Sequence, residues 1–213
     1  MAQNTNNITP QVNVSGEGSI KIKPDYAIIS IGSEIKDVDS AKAKKQNDDI
    51  IAKMISVIRS NKINEKDYQT QHVNLYKTRD YQSKKDYFVA NQTVTITLRN
   101  LENYETIMAD LINAGANNIQ GVEFKSTQTD KVASEIRAKA VLDAKKKAQD
   151  YAGALNQSIG KALIISDQSY VNVPRVYAMK TAMFEADAAG AEQTLALGEI
   201  EISTTVNVVF ELK

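Results

Sequence analysis

The sequence predicts an α+β protein in which antiparallel sheets combine with three helices. Segments that alternate apolar and polar residues, as half-buried strands do, are interleaved with segments whose apolar residues recur every three or four positions, as in helices. Between residues 25 and 127 the order is strand, helix, strand, strand, helix, strand, which is typical of a split βαβ, ferredoxin-like core. A long third helix and further antiparallel strands complete the predicted fold.

The chain of 213 residues is long enough for one large domain or two small lobes. Residues 1–10 are polar and end at Pro10, so we expect a disordered tail there. The rest, 11–213, is predicted to be a single domain with two sublobes. The first sublobe is the split βαβ of residues 25–127. The second sublobe is built from three separated segments, which are a hairpin at 11–24, residues 128–168 and residues 198–213.

Composition excludes several classes of function. Lysine plus arginine and aspartate plus glutamate each number 26, so the formal net charge is zero. Nucleic-acid binding needs a basic excess to neutralise phosphates, and we therefore expect no nucleic-acid partner. The chain has no cysteine, which excludes thiol catalysis, disulfides and cysteine-bound metal centres. No stretch approaches the roughly 20 apolar residues of a transmembrane helix, so no transmembrane segment is expected.

The hairpin at 11–24 is predicted from two alternating runs. Val12 and Val14 precede Gly16-Glu17-Gly18, and Ile20 and Ile22 follow it. Alternating runs around glycines are typical of a β-hairpin with a glycine turn. The same Gly-x-Gly fits a phosphate-binding loop less well, because it lacks the strand-to-helix setting and the third glycine of that motif.

The first helix is predicted to begin after Asp37 or Asp39, either of which can cap its N-terminus. Its charged first half, residues 42–49, is expected to be a solvated end, whereas the second half carries apolar residues at helical spacing. Asn61 is expected to end the helix in the left-handed conformation.

Two strands and a second helix follow the first helix. Val73 and Leu75 are expected to face the core on the first of these strands, and the second strand alternates over its whole length. Asn100 is expected to cap the second helix and Gly115 to end it.

The third helix is predicted over about residues 130–155. Small residues recur along it at spacings of three or four and predict a seam that packs close to a neighbour. The seam consists of Ile136, Ala140, Ala144, Ala148, Ala152 and Leu155. Two strands remain, at 162–167 and 198–212, and the second of them alternates throughout.

The long loop 169–197 carries apolar side chains without a clear period. Loops of this length inside a compact domain tend to be functional or disordered. Because many exposed apolar groups are unfavourable in a monomer, one interpretation is that the segment packs on a partner subunit, and the other is that it is floppy. The residues predicted to contact an oligomer partner or another protein are Val173, Val176, Tyr177, Met179, Met183 and Phe184.

The sequence shows no constellation for bond-making chemistry. His72 is the only imidazole and shares a strand face with polar residues, so we expect it to be exposed. Glu199 and Glu201 are expected on one strand face, about 7 Å apart along the chain. They are either a pair of carboxylates for acid–base chemistry or part of the polar outer face of an edge strand. The run Lys145–Lys147 is expected to be a solvated helix face. We therefore predict no catalytic residue, no cofactor and no metal site.

Short segments in a fixed order carry a family resemblance. They include Val12-x-Val14-Ser15-Gly16-Glu17-Gly18, Pro24-Asp25-x-Ala27, Ala90-Asn91-Gln92-x-Val94, Ala114-Gly115-Ala116-Asn117-Asn118-Ile119 and Gly198-Glu199-Ile200. Together they resemble the SIMPL-domain family of YggE-like and periplasmic immunogenic proteins, a domain of unknown function. The resemblance covers nearly the whole chain from residue 11. Lys62 and Asn156 depart from it, since the family often has glycine at both positions.

The resemblance implies an exported protein of the bacterial periplasm or outer envelope, whose signal peptide has been removed. It also implies a link to oxidative-stress defence and, in some members, large ring- or channel-like homo-oligomers. Five methionines offer one route to such defence, because methionine is oxidised reversibly, although it is more often core filler.

The leading hypothesis is a non-enzymatic envelope protein of unknown molecular function that self-associates. The alternative is a binding module for a small ligand or a client protein, with loop 169–197 as a lid or clamp. An enzyme that uses carboxylates or His72 is the third hypothesis.

Overall fold

The computed structural model describes residues 9–82, 84–167, 175–176 and 197–213. It has two compact units, one formed by Pro24–Lys125 and the other by Met1–Lys23 together with Ser126–Lys213. Helices and antiparallel strands confirm the predicted α+β class. The elements in chain order are β1 (Gln11–Ile22), β2 (Tyr26–Asp37), α1 (Ser40–Ser60), β3 (Tyr68–Arg79), β4 (Asp86–Leu98), α2 (Tyr104–Asn113), β5 (Asn118–Lys125), α3 (Thr129–Ala154), β6 (Ile159–Asp167), β7 (Arg175–Val176) and β8 (Ile200–Leu212), with 3-10 turns at Glu65–Asp67 and Leu101–Asn103.

The Pro24–Lys125 unit is a four-stranded antiparallel sheet with two helices. Its strand order is β3-β4-β2-β5, so β2 and β4 are central and β3 and β5 are the edges. Alternation along β2 turns Ala27, Ile29 and Ile31 to one face, where all three are fully buried. The core around them consists of large apolar residues from β4 and the helices, among them Ile51, Met54, Ile58, Val94, Ile96, Leu98, Ile107, Met108 and Leu111.

Helix α1 starts at a predicted cap and is followed by an unexpected left-handed residue. The Asp39 carboxylate accepts hydrogen bonds from the backbone N–H groups of Ala41 and Lys42, which confirms Asp39 as the N-cap. The left-handed residue is Lys62, with φ of 57°, and not Asn61, whose φ is −79°. The prediction for Asn61 is wrong by one position, because that residue keeps a φ close to the helical value.

The charged first half of α1 is not a fully solvated end. Ala43 and Asn47 are buried there. The Asn47 Nδ2 atom donates to the backbone carbonyl oxygens of Ser33 and Ala90, at 2.7 and 3.2 Å. These two hydrogen bonds offset the cost of removing the amide from water. A polar residue therefore continues the buried stripe, which the apolar pattern alone did not reveal.

The prediction that Val73 and Leu75 face the core is wrong. Both side chains are exposed, because β3 is an outer strand and α1 packs over β2 and β4 instead. Strand β3 therefore alternates apolar and polar residues like a half-buried strand, but no helix of this unit covers its apolar residues.

The other unit contains a sheet in the order β1-β8-β6, with β7 also paired to β8. The predicted hairpin at 11–24 is wrong. Strand β1 is one continuous strand of 12 residues that pairs with β8 along its whole length, up to Ile22 opposite Ile200. The glycines at 16 and 18 lie inside this ladder and form no turn.

Gly16 and Gly18 make room for α3. A Cβ atom on Gly16 would overlap the carbonyl oxygen of Ala140, and one on Gly18 would overlap the carbonyl oxygen of Ile136. The buried residues of α3 are Ile136, Ala140, Ala144, Ala148 and Ala152, which confirms the predicted seam up to its last member. Leu155 follows the helix and is exposed. The Gly-x-Gly segment is therefore a site of close contact between a strand and a helix.

Candidate functional site

The residues predicted to contact a partner fall outside what the structure describes, apart from the backbone of one of them. Those outside are Val173, Tyr177, Met179, Met183 and Phe184. The backbone of Val176 belongs to β7 and pairs with Ile200 of β8. The assignment of these six residues as partner contacts stays a prediction.

The side chains of the candidate acid–base residues are exposed or half-buried. His72 is exposed on β3, as predicted, and pairs through its backbone with Thr93 of β4. Glu201 is half-buried on β8 opposite Lys21 of β1, and Glu199 is exposed just before that strand. Within the described ranges, no group of three His, Cys, Asp or Glu side chains is placed to hold a metal ion.

One lysine of the basic run on the polar side of α3, Lys147, makes an ion pair and a hydrogen bond to β1. The Nζ atom of Lys147 lies 2.7 Å from Oδ2 of Asp143 and donates to the backbone carbonyl oxygen of Ser15 at 3.0 Å. Asp143 also accepts from the backbone N–H of Glu17 at 2.9 Å. Hydrogen bonds from Lys147 and from this N–H hold the pKa of Asp143 below its ordinary value. The run is exposed, as predicted, and Lys147 in addition joins α3 to β1.

Asparagines of two sequence motifs also hold strands together. The side-chain oxygen of Asn117 accepts from the backbone N–H of Glu34 at 2.8 Å, and its Nδ2 donates to the Glu34 carbonyl oxygen at 2.9 Å. This pair of hydrogen bonds extends the pairing of β2 with β5 beyond the N-terminal end of β5. The Nδ2 of Asn91 donates to the Glu34 carboxylate at 3.0 Å. These motif residues support the fold, because their polar atoms are engaged in strand-to-strand contacts.

The outer strand β3 exposes a row of apolar side chains, and we refer to it as the β3 edge. Val73, Leu75 and Tyr76 are 60, 46 and 51% exposed. Val73 and Leu75 share one face, because side chains two residues apart on a strand point the same way. In the described part of the chain β3 pairs with β4 alone, so the backbone groups of its other side are available to a further strand.

A second candidate site is a cleft of about 370 Å³ in the Pro24–Lys125 unit, and we call it the α1–β4 cleft. It lies where the end of α1 and the 3-10 turn after it face the end of β4 and the start of α2. The buried side chains of Leu98 and Ile107 belong to its lining. Its polar lining is dominated by amides and cations, which are Asn61, Asn64, Asn100, Asn103, Lys62, Lys66 and Arg99.

An ion pair is built into the wall of the α1–β4 cleft. The Nε and Nη2 atoms of Arg99 donate to the two carboxylate oxygens of Asp67, at 3.0 and 2.7 Å. The Asp67 side chain is only 8% exposed, whereas that of Arg99 is 59% exposed. The hydrogen bonds from Arg99 hold the pKa of Asp67 below its ordinary value, and the Asp67 carboxylate raises the pKa of Arg99. The two parallel bonds fix the plane of the guanidinium at the cleft.

Comparison with known proteins gives the family. Residues 12–210 match the family model SIMPL, described as protein of unknown function (DUF541). The chain belongs to the SIMPL family. This confirms the resemblance that the sequence motifs predicted.

Several SIMPL relatives are similar along most of their length. The uncharacterized protein YggE of Escherichia coli K12 is 30% identical over 211 residues, which cover 96% of this chain and 84% of the relative. The 26 kDa periplasmic immunogenic protein of Brucella melitensis is 26% identical over 214 residues, 95% of this chain and 85% of the relative. The uncharacterized protein YggE of Edwardsiella ictaluri is 27% identical over 213 residues, 95% and 87%.

The SIMPL match spans residues that have structural roles here, including Gly16, Asn91 and Asn117. The family model is described only as a protein of unknown function, so the match assigns no activity to this chain. The name of the Brucella relative describes that relative as periplasmic. None of the helices in the described residues has the length and apolar character that crossing a bilayer requires.

Proposed function

We propose that this SIMPL protein is a non-enzymatic protein of the bacterial periplasm or outer envelope that acts by self-association and serves oxidative-stress defence. The name of the Brucella relative, a periplasmic immunogenic protein, supports the location. The exposed apolar residues of the β3 edge support the self-association, and they are the observation that carries this proposal.

The β3 edge has few of the features that keep edge strands apart. Natural proteins protect such edges with charged residues, prolines, bulges or short strands. Strand β3 is 12 residues long and contains no proline. Its charged residues, Lys77 and Arg79, lie at its C-terminal end, and its irregularity between Thr70 and His72 precedes the apolar residues. The middle of the strand is therefore open to pairing.

A second copy of β3 fits this edge in an antiparallel, two-fold arrangement. If Asn74 pairs with the same residue of the second copy, Val73 of each chain lies opposite Leu75 of the other. Lys77 then lies opposite Gln71, so no like charges oppose each other along the pair. The apolar pairs share one face, where cross-strand contacts between apolar residues contribute most to sheet stability.

Light scattering coupled to gel filtration tests the self-association. We expect the unmodified chain to elute as an oligomer at about 100 μM, the concentration range where weak specific contacts are populated. The double variant Val73→Lys with Leu75→Lys should be monomeric, because it places four lysines across the pair. The control is Leu142→Lys, which puts one lysine on an exposed leucine of α3, away from the β3 edge. A monomeric unmodified chain, or an oligomer unaffected by the double variant, would contradict the proposal.

The role in oxidative-stress defence rests on the sequence resemblance and is proposed to use methionine. Met54 and Met108 are 0 and 8% exposed and fill the core of the Pro24–Lys125 unit. The methionines left for this role include Met179 and Met183, which lie outside the described residues.

Peroxide treatment followed by peptide mass spectrometry tests the methionine role. We expect sulfoxides at Met179 and Met183 before any at Met54 or Met108, because burial keeps oxidant from the sulfur. Equal oxidation of all four would argue against protection by exposed methionines.

A further inference from the structure

The α1–β4 cleft carries more positive charge than the fold uses. Three cationic side chains line it, against the single carboxylate of Asp67. Arg99 already neutralises that carboxylate through two hydrogen bonds. Lys62 and Lys66 have no ion-pair partner among the residues that the structure describes. The Asp67 carboxylate also attracts Lys66, yet the cations that line the cleft still outnumber its one lining carboxylate by two.

Amide groups add hydrogen-bond donors to this charge. The side-chain oxygens of Asn64 and Asn100 accept from the backbone N–H groups of Lys66 and Glu102, so their side-chain oxygens are occupied. This arrangement leaves the NH₂ groups of both asparagines to other acceptors. Asn103 also lines the cleft, and its side chain does not cap α2. The cleft therefore offers the NH₂ groups of Asn64 and Asn100 as donors, whereas the Nδ2 of Asn61 already donates to Val57 and Asp110.

Lys62 stands where glycine would fit with less strain. Its φ of 57° lies in the left-handed region, which is unfavourable for a residue with a Cβ atom. The turn itself needs no lysine, because its hydrogen bonds run from the backbone N–H of Lys62 to Arg59 and from that of Ile63 to Ile58. Lys62 therefore places a charge at the edge of the cleft that the turn itself does not require.

We propose that the α1–β4 cleft binds a small organic anion, whose carboxylate or phosphate group contacts Lys62, Lys66 and the outer edge of the Arg99 guanidinium. The apolar part of the ligand would lie against Leu98 and Ile107. The ligand is a free small molecule, because about 370 Å³ is at the small end of ligand pockets. The Asp67 carboxylate keeps the guanidinium in place, and Lys62 and Lys66 beside this neutral pair favour an anion over a cation.

Calorimetric titration and thermal unfolding of the full chain test the proposal, with inorganic phosphate and citrate as separate probes at constant ionic strength. At a probe concentration ten times the dissociation constant, we expect the melting temperature to rise by about 4 °C. The double variant Lys62→Gln with Lys66→Gln should bind at least about tenfold more weakly, because two charge-assisted contacts are lost. Lys62→Gly should weaken binding while raising the melting temperature without probe.

The matched control is Lys53→Gln, which removes one positive charge from an exposed position of α1 outside the cleft. Binding should be unchanged in this variant. Absence of binding to both probes, or an equal response of all variants, would overturn the proposal, since anions also stabilise proteins without a site. Vesicles of phosphatidylglycerol in phosphatidylcholine distinguish a lipid headgroup, because binding to these vesicles and to neither free anion would exclude a free ligand. All measurements apply equally to the Val73→Lys, Leu75→Lys chain, so they do not depend on self-association.

Discussion

The helices of the two units contact their sheets through side chains of very different size. In the Pro24–Lys125 unit, isoleucine, leucine and methionine of α1 and α2 meet the isoleucines of β2. In the other unit, four alanines of α3 lie against a strand that has glycine at two positions. The first interface is stabilised by buried apolar volume, whereas the second is stabilised by close approach of two backbones. The two units should therefore respond in opposite ways to added and removed atoms.

Removal of atoms should cost most in the Pro24–Lys125 unit. Ile29 is fully buried at the centre of β2, and Ile29→Ala should lower the free energy of unfolding by about 3–4 kcal/mol, because a cavity remains. Denaturant unfolding followed by circular dichroism measures this. The control Ile119→Ala makes the same change at a half-exposed position of β5 and should cost under about 1 kcal/mol. Equal losses would show that the core does not depend on this side chain.

Addition of one methyl group should be costly in the other unit. Gly16→Ala should lower the free energy of unfolding by about 2 kcal/mol, because the new Cβ meets backbone atoms of α3, which cannot rotate away. Gly121→Ala adds the same group to β5, where no atom lies within 4 Å, and should change stability by less than about 0.5 kcal/mol. A neutral Gly16→Ala would mean that α3 moves away from β1 at little cost.

Acid should weaken the hydrogen bonds that join α3 to β1 through Asp143. The expected loss of stability is the smallest of the three. The pKa of Asp143 is lower in the folded chain than its ordinary value of 3.8, so its stabilising contribution is complete above that pH. The contribution is lost as pH falls through the lower, folded-state pKa. We expect Asp143→Asn to lower the melting temperature by about 1–2 °C near neutral pH and by less at about pH 2.5. Asp150→Asn on the same helix serves as the control, and a pH-independent loss in Asp143→Asn would contradict the assignment.

Periodicity predicted the parts of the fold that depend on local side-chain size. The alanine seam of α3 was predicted from spacing alone, because residues three and four apart share a helix face. The N-cap was predicted to be Asp37 or Asp39, because a short acidic side chain can accept from the free N–H groups of the first turn, and the structure has Asp39 there. The Gly-x-Gly of β1 led to the wrong prediction of a turn, since a glycine required by a helix packed across it looks the same in sequence as a glycine in a turn.

Exposure of a strand and formation of a cleft both depend on contacts distant in sequence. Val73 and Leu75 alternate like core residues, and only the strand order shows that they lie on an outer strand. The α1–β4 cleft joins residues 61–67 with residues 97–107, and no motif links these two segments. The sequence therefore contains no local signal for this cleft.

Strand β8 lies in the middle of its sheet and is the last element of the chain. A ribosome releases residues 24–125 as a complete set long before Ile200, the residue opposite Ile22, has been synthesised. Strand β1 therefore has no β8 to pair with until the residues from Ile200 onward have been added, while the central segment is already free to fold. Truncation of the chain before Ile200 would therefore leave β1 and β6 without the strand that joins them.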